Sequence, residues 1–132
     1  MAPRYTLSKN ERLKSLKSIR ALFEQGEKFK VPPLVVFHQI QNNTEQDPFP
    51  LKMGVSVGAK YFKKAVDRNL MKRRIREAFR QQKLLLQENL RQRNQSMNVF
   101  FVYAHAQLVD YQVIKDAMSA ALEKLSSKLE KS

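Results

Sequence analysis

A single α+β layered domain is the fold this sequence predicts, and three observations predict it. Apolar residues recur at helical spacing near both ends of the chain, residues that favour strands gather in separate short runs between them, and a long cationic stretch with helical phase sits among those runs. The 132 residues suit one domain, 1–132, with residues 1–11 expected as a flexible N-terminal arm. A hydrophobic share of 42%, with eight Phe and four Tyr, supplies a core that a disordered basic tail would lack.

The first helix is expected over residues 12–26, where Ile19, Leu22 and Phe23 share a face, Ser15 can cap the start and Gly26 can end it in a left-handed conformation. Ser8 and Glu11 offer an alternative start as a capping box. Pro32 and Pro33 then break any helix, and residues 34–40 read as a strand, preceded by a shorter one near residues 28–30. Alternation places Leu34, Val36, His38 and Ile40 on one face of that strand and Val35, Phe37 and Gln39 on the other. A polar loop over residues 41–50 leads to a further strand over 51–57, expected as its antiparallel neighbour. One continuous helix is predicted from about residue 64 to residue 90, a polar break over 92–98, and a strand over 99–103. The last helix is expected to be capped by Asp110, with Ile114, Ala117, Met118, Ala121, Leu122 and Leu125 as its core-facing stripe.

Charge bounds the function. A net +13 and a pI near 10.2 attract phosphate backbones or anionic membranes. No apolar run is long enough to span a bilayer and the N-terminus carries no secretory pattern, so cytoplasmic residence without a membrane partner is expected. The lack of cysteine excludes disulfides, thiolate zinc sites and Cys nucleophiles.

The charge is concentrated. Between Lys63 and Arg80 eight basic side chains stand against Asp67 and Glu77, a net +6. At about 100° per residue, Arg68, Asn69, Lys72, Arg73, Arg76 and Arg80 fall on one face, Met71, Ile75, Ala78 and Phe79 form an adjoining apolar edge, and Arg74 projects elsewhere, near Leu70. Like charges at i,i+4 destabilise a helix by about 0.2–0.5 kcal/mol per pair, so these cations are not placed for stability. A solvated face normally mixes signs, and a lipid-binding helix needs its apolar edge free. Nucleic acid is therefore the favoured partner, and charge alone leaves DNA and RNA open, as either a structural, ribosomal type of protein or a DNA-binding one would use such a face.

No self-contained active site is legible. His38 and His105 are the residues an RNA-cleaving acid and base pair would need, but His38 alternates with core positions and His105 ends a strand, which favours structural roles. The acidic residues are scattered rather than clustered for two-metal chemistry, and no phosphate-cradling glycine loop occurs. Phe37 and Phe23 are candidate stacking groups, with core packing as the alternative.

The pattern Gly54-x-Ser56-Val57-x-x-Lys60, followed by Lys63-Lys64-Ala65-Val66-x-Arg68-Asn69-x-x-Lys72-Arg73-x-x-Arg76-Glu77-x-x-Arg80, resembles the signature of the bacterial ribonuclease P protein subunit. Arg12-Leu13-Lys14, Phe23-x-x-Gly26 and the strand around Phe37 extend the likeness over nearly the whole chain. It implies a two-layer α/β sandwich in the order α-β-β-β-α-β-α with a left-handed βαβ crossover, an exception to the general hand. It also implies an accessory protein, in a 1:1 complex with ribonuclease P RNA, that helps remove the 5′ leader of precursor tRNA. Catalysis would then lie in the RNA with Mg2+, and no cofactor would be bound by the protein.

By resemblance, RNA-binding residues would be Lys60, Lys63, Lys64, Arg68, Asn69, Lys72, Arg73, Arg76 and Arg80. A cleft for the single-stranded leader, between the first helix and the sheet, would be lined by Arg12, Ile19, Phe23 and Phe37. Two positions depart from the family's habit: Leu70 replaces a frequent arginine, and Ile19 a frequent aromatic.

Overall fold

The computed structural model describes residues 9–42 and 48–131. Its elements are α1 Leu16–Gln25, β1 Glu27–Val31, β2 Leu34–Asn42, β3 Leu51–Val57, α2 Ala65–Gln82, α3 Leu84–Arg93, β4 Gln95–Tyr103 and α4 Tyr111–Lys131, preceded by a 3-10 turn at Lys9–Glu11. The expected α-β-β-β-α-β-α order holds, with the long middle helix divided in two. The sheet runs β1-β2-β4-β3. Its first pairs are antiparallel, while β3 lies parallel to β4, so α2 and α3 form the crossover between two parallel neighbours.

This arrangement corrects the predicted pairing of the second and third strands. β4 inserts between them because Met97, Val99, Phe101 and Tyr103 are apolar and buried, and a strand so buried needs a neighbour on each side. Polar residues expected as a break over 92–98 are partly inside β4: Ser96 and Gln95 pair with Gln41 and Asn42 at the exposed end of β2. There Gln95 Nε2 donates to Asn42 Oδ1 at 2.8 Å. The chain reverses at Asn94, whose left-handed backbone (φ 53°, ψ 46°) caps α3.

One sheet face carries the main core. Leu34, Val36, Met53, Val99 and Phe101 meet Met71, Ile75 and Phe79 of α2, Leu86 and Leu90 of α3, and the predicted α4 stripe. The other face is covered by α1, where Leu13, Leu22 and Phe100 form a second, smaller cluster.

α1 begins later than predicted. Ser15 caps it, its side chain accepting from the Ser18 amide at 3.3 Å, whereas Arg12 and Leu13 stay extended along β3, with the Leu13 amide donating to the Met53 carbonyl at 2.8 Å. Gly26 ends α1, but with φ −75° and ψ 166° rather than in the left-handed region, because β1 starts at the next residue. Glycine is required there for closeness: a Cβ would lie 2.8 Å from the His38 carbonyl oxygen. For the alternative capping box, the described residues begin only at Lys9, so Ser8 lies outside them, and Glu11, at the anchored end of the expected arm, is buried against Lys83.

That contact divides the middle helix. Lys83, wholly buried, reaches the Glu11 carboxylate, which also accepts from Gln87 Nε2 at 3.4 Å. Lys83 is at once the last cap of α2 and the first of α3.

His38 sits under the same sheet face, 3% exposed, with neither ring nitrogen hydrogen-bonded. Burial lowers its pKa from the ordinary 6.5; Lys128 pushes the same way, and Glu27, 3.7 Å from Nε2, opposes both. Protonation therefore favours the unfolded chain, so this residue's contribution is complete above pH 6.5 and is lost as pH falls below it. Urea unfolding as a function of pH should show stability declining in that window by up to about 1.4 kcal/mol per pH unit, the limit for one proton. His38→Leu should flatten the decline, and a wild-type profile already flat there contradicts the assignment.

Candidate nucleic-acid interface

α2 docks through Met71, Ile75, Ala78 and Phe79, each without exposed surface, against α4 and the sheet. Its 3.6-residue period then turns Asn69, Arg73 and neighbouring cations outward. The sequence-predicted residues nevertheless divide into three groups.

Lys60, Lys63 and Lys64 are exposed in the segment before α2, with Lys60 Nζ 5.6 Å from the Tyr61 ring centroid. Arg68 is turned back toward that segment, Nη1 donating to the carbonyls of Phe62 at 2.7 Å and Lys63 at 2.9 Å. It shapes the loop as well as adding charge.

Arg73, Arg76 and Arg80 line a groove of about 680 Å³ together with Arg12, Leu70, Arg74, Glu77 and Tyr111. Arg80 makes a forked pair with Glu77, Nε to Oε2 at 2.9 Å and Nη2 to Oε1 at 2.5 Å. Those bonds hold the Glu77 carboxyl below its ordinary pKa and raise that of Arg80. Arg12, Arg73 and Arg76 have no carboxylate partner among the described residues. Burial, and then the Arg12 guanidinium, lower the Arg76 pKa from its ordinary value. Asn69 and Lys72 lie on α2 outside the groove lining.

Arg74 was expected to project away from the other cations. It lies near Leu70 as expected but joins the same groove, because Nη1 donates to the Val109 carbonyl at 2.5 Å and so ties α2 to the segment before α4. Tyr111 was not predicted at all. Its hydroxyl bonds Gln81 Oε1 at 3.1 Å, a contact between helices far apart in the chain.

On the opposite face of the sheet, a cleft of about 310 Å³ is lined by Arg12, Ile19, Gly54, Arg76 and Phe100, among others. Phe23 and Phe37 adjoin it as an aromatic cluster: Phe23 meets Phe37 edge-on at 4.5 Å and Phe100 at 5.1 Å between centroids. Phe23 remains 41% exposed and Phe37 is half-buried. The structure thus gathers Arg12, Ile19, Phe23 and Phe37 around one feature. Sequence reasoning missed Phe100, although strand alternation places it opposite its buried neighbours Val99 and Phe101.

Among the described residues, no three His, Asp or Glu side chains are grouped to hold a metal, and no helix is long and apolar enough to cross a membrane.

The model of the ribonuclease P family matches residues 7–126. The chain belongs to the ribonuclease P protein family. A relative from Porphyromonas gingivalis (strain W83), named ribonuclease P protein component, is 35% identical over 124 residues, covering 94% of this chain and 89% of the relative. A second, from Picosynechococcus, is 39% identical over 74 residues, 56% of this chain and 60% of its own. The ribonuclease P protein of Staphylococcus aureus superposes with a TM-score of 0.64 at 23% identity, over 87% of this chain and 94% of that one. That of Thermotoga maritima gives 0.63 at 21%, over 86% and 96%. These structural likenesses support the fold, and membership of the family connects the chain with tRNA processing.

Gly54 is the residue on which the cleft most visibly depends. A Cβ there would stand 2.5 Å from the Phe100 ring, its partner across the β3 and β4 pair. Gly54→Ala should displace that ring and destabilise the fold by about 1–3 kcal/mol, the usual cost of overpacking. Denaturant unfolding checks it, and an unaltered midpoint would mean that the ring moves freely.

Proposed function

We propose that this chain is the protein subunit of a bacterial ribonuclease P, binding its catalytic RNA along α2 and the 5′ leader of precursor tRNA in the cleft. The observation that carries the reading is the meeting of two surfaces in a chain of this family. A groove with uncompensated Arg12, Arg73 and Arg76 adjoins an aromatic-lined cleft that shares two of those arginines. Guanidinium forks suit phosphate oxygens, and partly exposed rings such as Phe23 and Phe37 suit stacking by unpaired bases.

In this reading Lys60, Lys63, Lys64, Arg68, Asn69, Lys72, Arg73, Arg76 and Arg80 face the RNA subunit, with Arg68 and Arg80 adding charge beside the intramolecular bonds they make. Arg12, Ile19, Phe23 and Phe37 face the leader, with Phe100 supporting Phe23. The protein supplies binding and neutralises phosphate repulsion between two RNAs. Hydrolysis is carried out by the RNA subunit with Mg2+, in a complex holding one copy of each, in the cytoplasm. The chain 1–132 acts as one domain.

Reconstitution with the ribonuclease P RNA of the same genome tests the proposal. At low magnesium, precursor tRNA should be cut at the mature 5′ end when both subunits are present, and much more slowly with the RNA alone. Phe37→Ala should reduce the preference for leader-bearing over mature tRNA. Cleavage by the protein without RNA, or stimulation that ignores the leader, contradicts the reading.

A further inference from the structure

The groove along α2 and the cleft under α1 have two residues in common, Arg12 and Arg76. Neither has a carboxylate partner among the described residues, and the two guanidiniums repel each other across the seam. Left to itself, the segment carrying Arg12 would move away from Arg76. It is an extended connection between a three-residue turn and α1, with little local structure of its own.

Two contacts prevent that movement. Leu13 is bonded through its amide to the Met53 carbonyl on β3. Immediately before Arg12, the Glu11 side chain is drawn into the junction of α2 and α3, where Lys83 and Gln87 hold its carboxylate. The Lys83 side chain is 0% exposed and that of Glu11 8%, so the pair is enclosed by protein.

Burying two charges is weak evidence of stabilisation, since desolvation opposes their attraction; fixing a geometry is a better-founded role for such a pair. What lies next to it in sequence is the cation at the seam. We propose that the Glu11/Lys83 pair is a positioning latch that holds Arg12 against Arg76, making them a preorganised clamp for one phosphate of a single strand passing from cleft to groove.

The clamp rests on the function proposed above and adds to it a point of crossing between the two surfaces. The latch explains why the repulsion is tolerated without ligand: it is met during folding, so a bound phosphate relieves it rather than having to overcome it. Glu11 and Lys83 would act through Arg12 and touch no nucleotide themselves.

The latch makes a prediction opposite in sign to that of charge alone. Removing Glu11 raises the net charge of the protein by one, which by itself strengthens binding to any polyanion. Without the latch, Arg12 is released and binding weakens.

The probe is a fluorescent single-stranded oligoribonucleotide, titrated with the full-length protein at fixed salt. Arg12→Ala should weaken binding about tenfold, the effect of one lost charge-assisted contact. Glu11→Ala should weaken it by a similar factor, and Glu11→Ala combined with Arg12→Ala should be no weaker than Arg12→Ala alone. Hydrogen exchange at the Leu13 amide should accelerate in Glu11→Ala while the amides of α2 keep their protection. If Glu11→Ala does not fold, the isosteric Glu11→Gln serves, with several-fold weakening expected.

Tighter binding by either Glu11 variant, or losses that multiply in the double variant, would overturn the latch. Absence of binding by the wild-type chain would sink the underlying functional reading and the clamp with it. Wild-type binding with no cost on removing Arg12 would sink the clamp alone.

Discussion

The buried edge of α2 is the constraint on which the rest of the surface depends. Met71, Ile75 and Phe79 are each fully enclosed, and burying side chains of that size contributes roughly 1.5–3 kcal/mol apiece. The like-charged pairs along Arg68, Lys72, Arg76 and Arg80 oppose the helix by about 0.2–0.5 kcal/mol each. Packing wins by several-fold, so α2 cannot turn its cations inward or rotate to separate them from one another. The positive face is a consequence of the core, and in the proposed function the phosphates of the RNA compensate it.

The sheet fixes where that face ends. With β4 between β2 and β3, the main core lies on one side, and α1 covers the other through Leu22, Ile19 and Phe23. A single ten-residue helix does not cover a four-stranded sheet, and Phe23 is left partly exposed beside Phe37. The cleft and the α2 groove then meet where Arg12 runs along β3, which gives a basic surface and an aromatic surface a common border.

Much of this was legible in the sequence wherever a period carries the information. The α4 stripe, the face of β2 and the apolar edge of α2 all follow from spacing, and all are buried except Ile40 at the end of the β2 face, which is half-buried. Features set by contacts between distant residues were not. Lys83 falls inside the helix predicted as continuous, because the carboxylate that draws it inward and divides that helix is 72 residues away. The place of β4 depends on competition among strands for the centre of the sheet, which adjacency in the chain misjudges. Gly26 looked like a left-handed cap, yet that conformation falls on Asn94, and Gly26 is needed for a close approach of backbones. Among the predicted site residues, Arg73, Arg76 and Arg80 line one groove and Arg12 and Ile19 one cleft, with Phe23 and Phe37 beside it, while the inward bonds of Arg68 and Arg74 depend on carbonyls that no pattern announces.

The central claim is that α2 and the segment before it meet RNA while the far edge of the molecule does not. Lysine acetylation footprinting of the protein, with and without the ribonuclease P RNA of its genome, tests this most directly. Lys63, Lys64 and Lys72 should become protected, whereas Lys124 and Lys128, which lie over Phe29 of β1, should keep their reactivity. Protection spread evenly over all five, or concentrated on Lys124 and Lys128, would contradict the account.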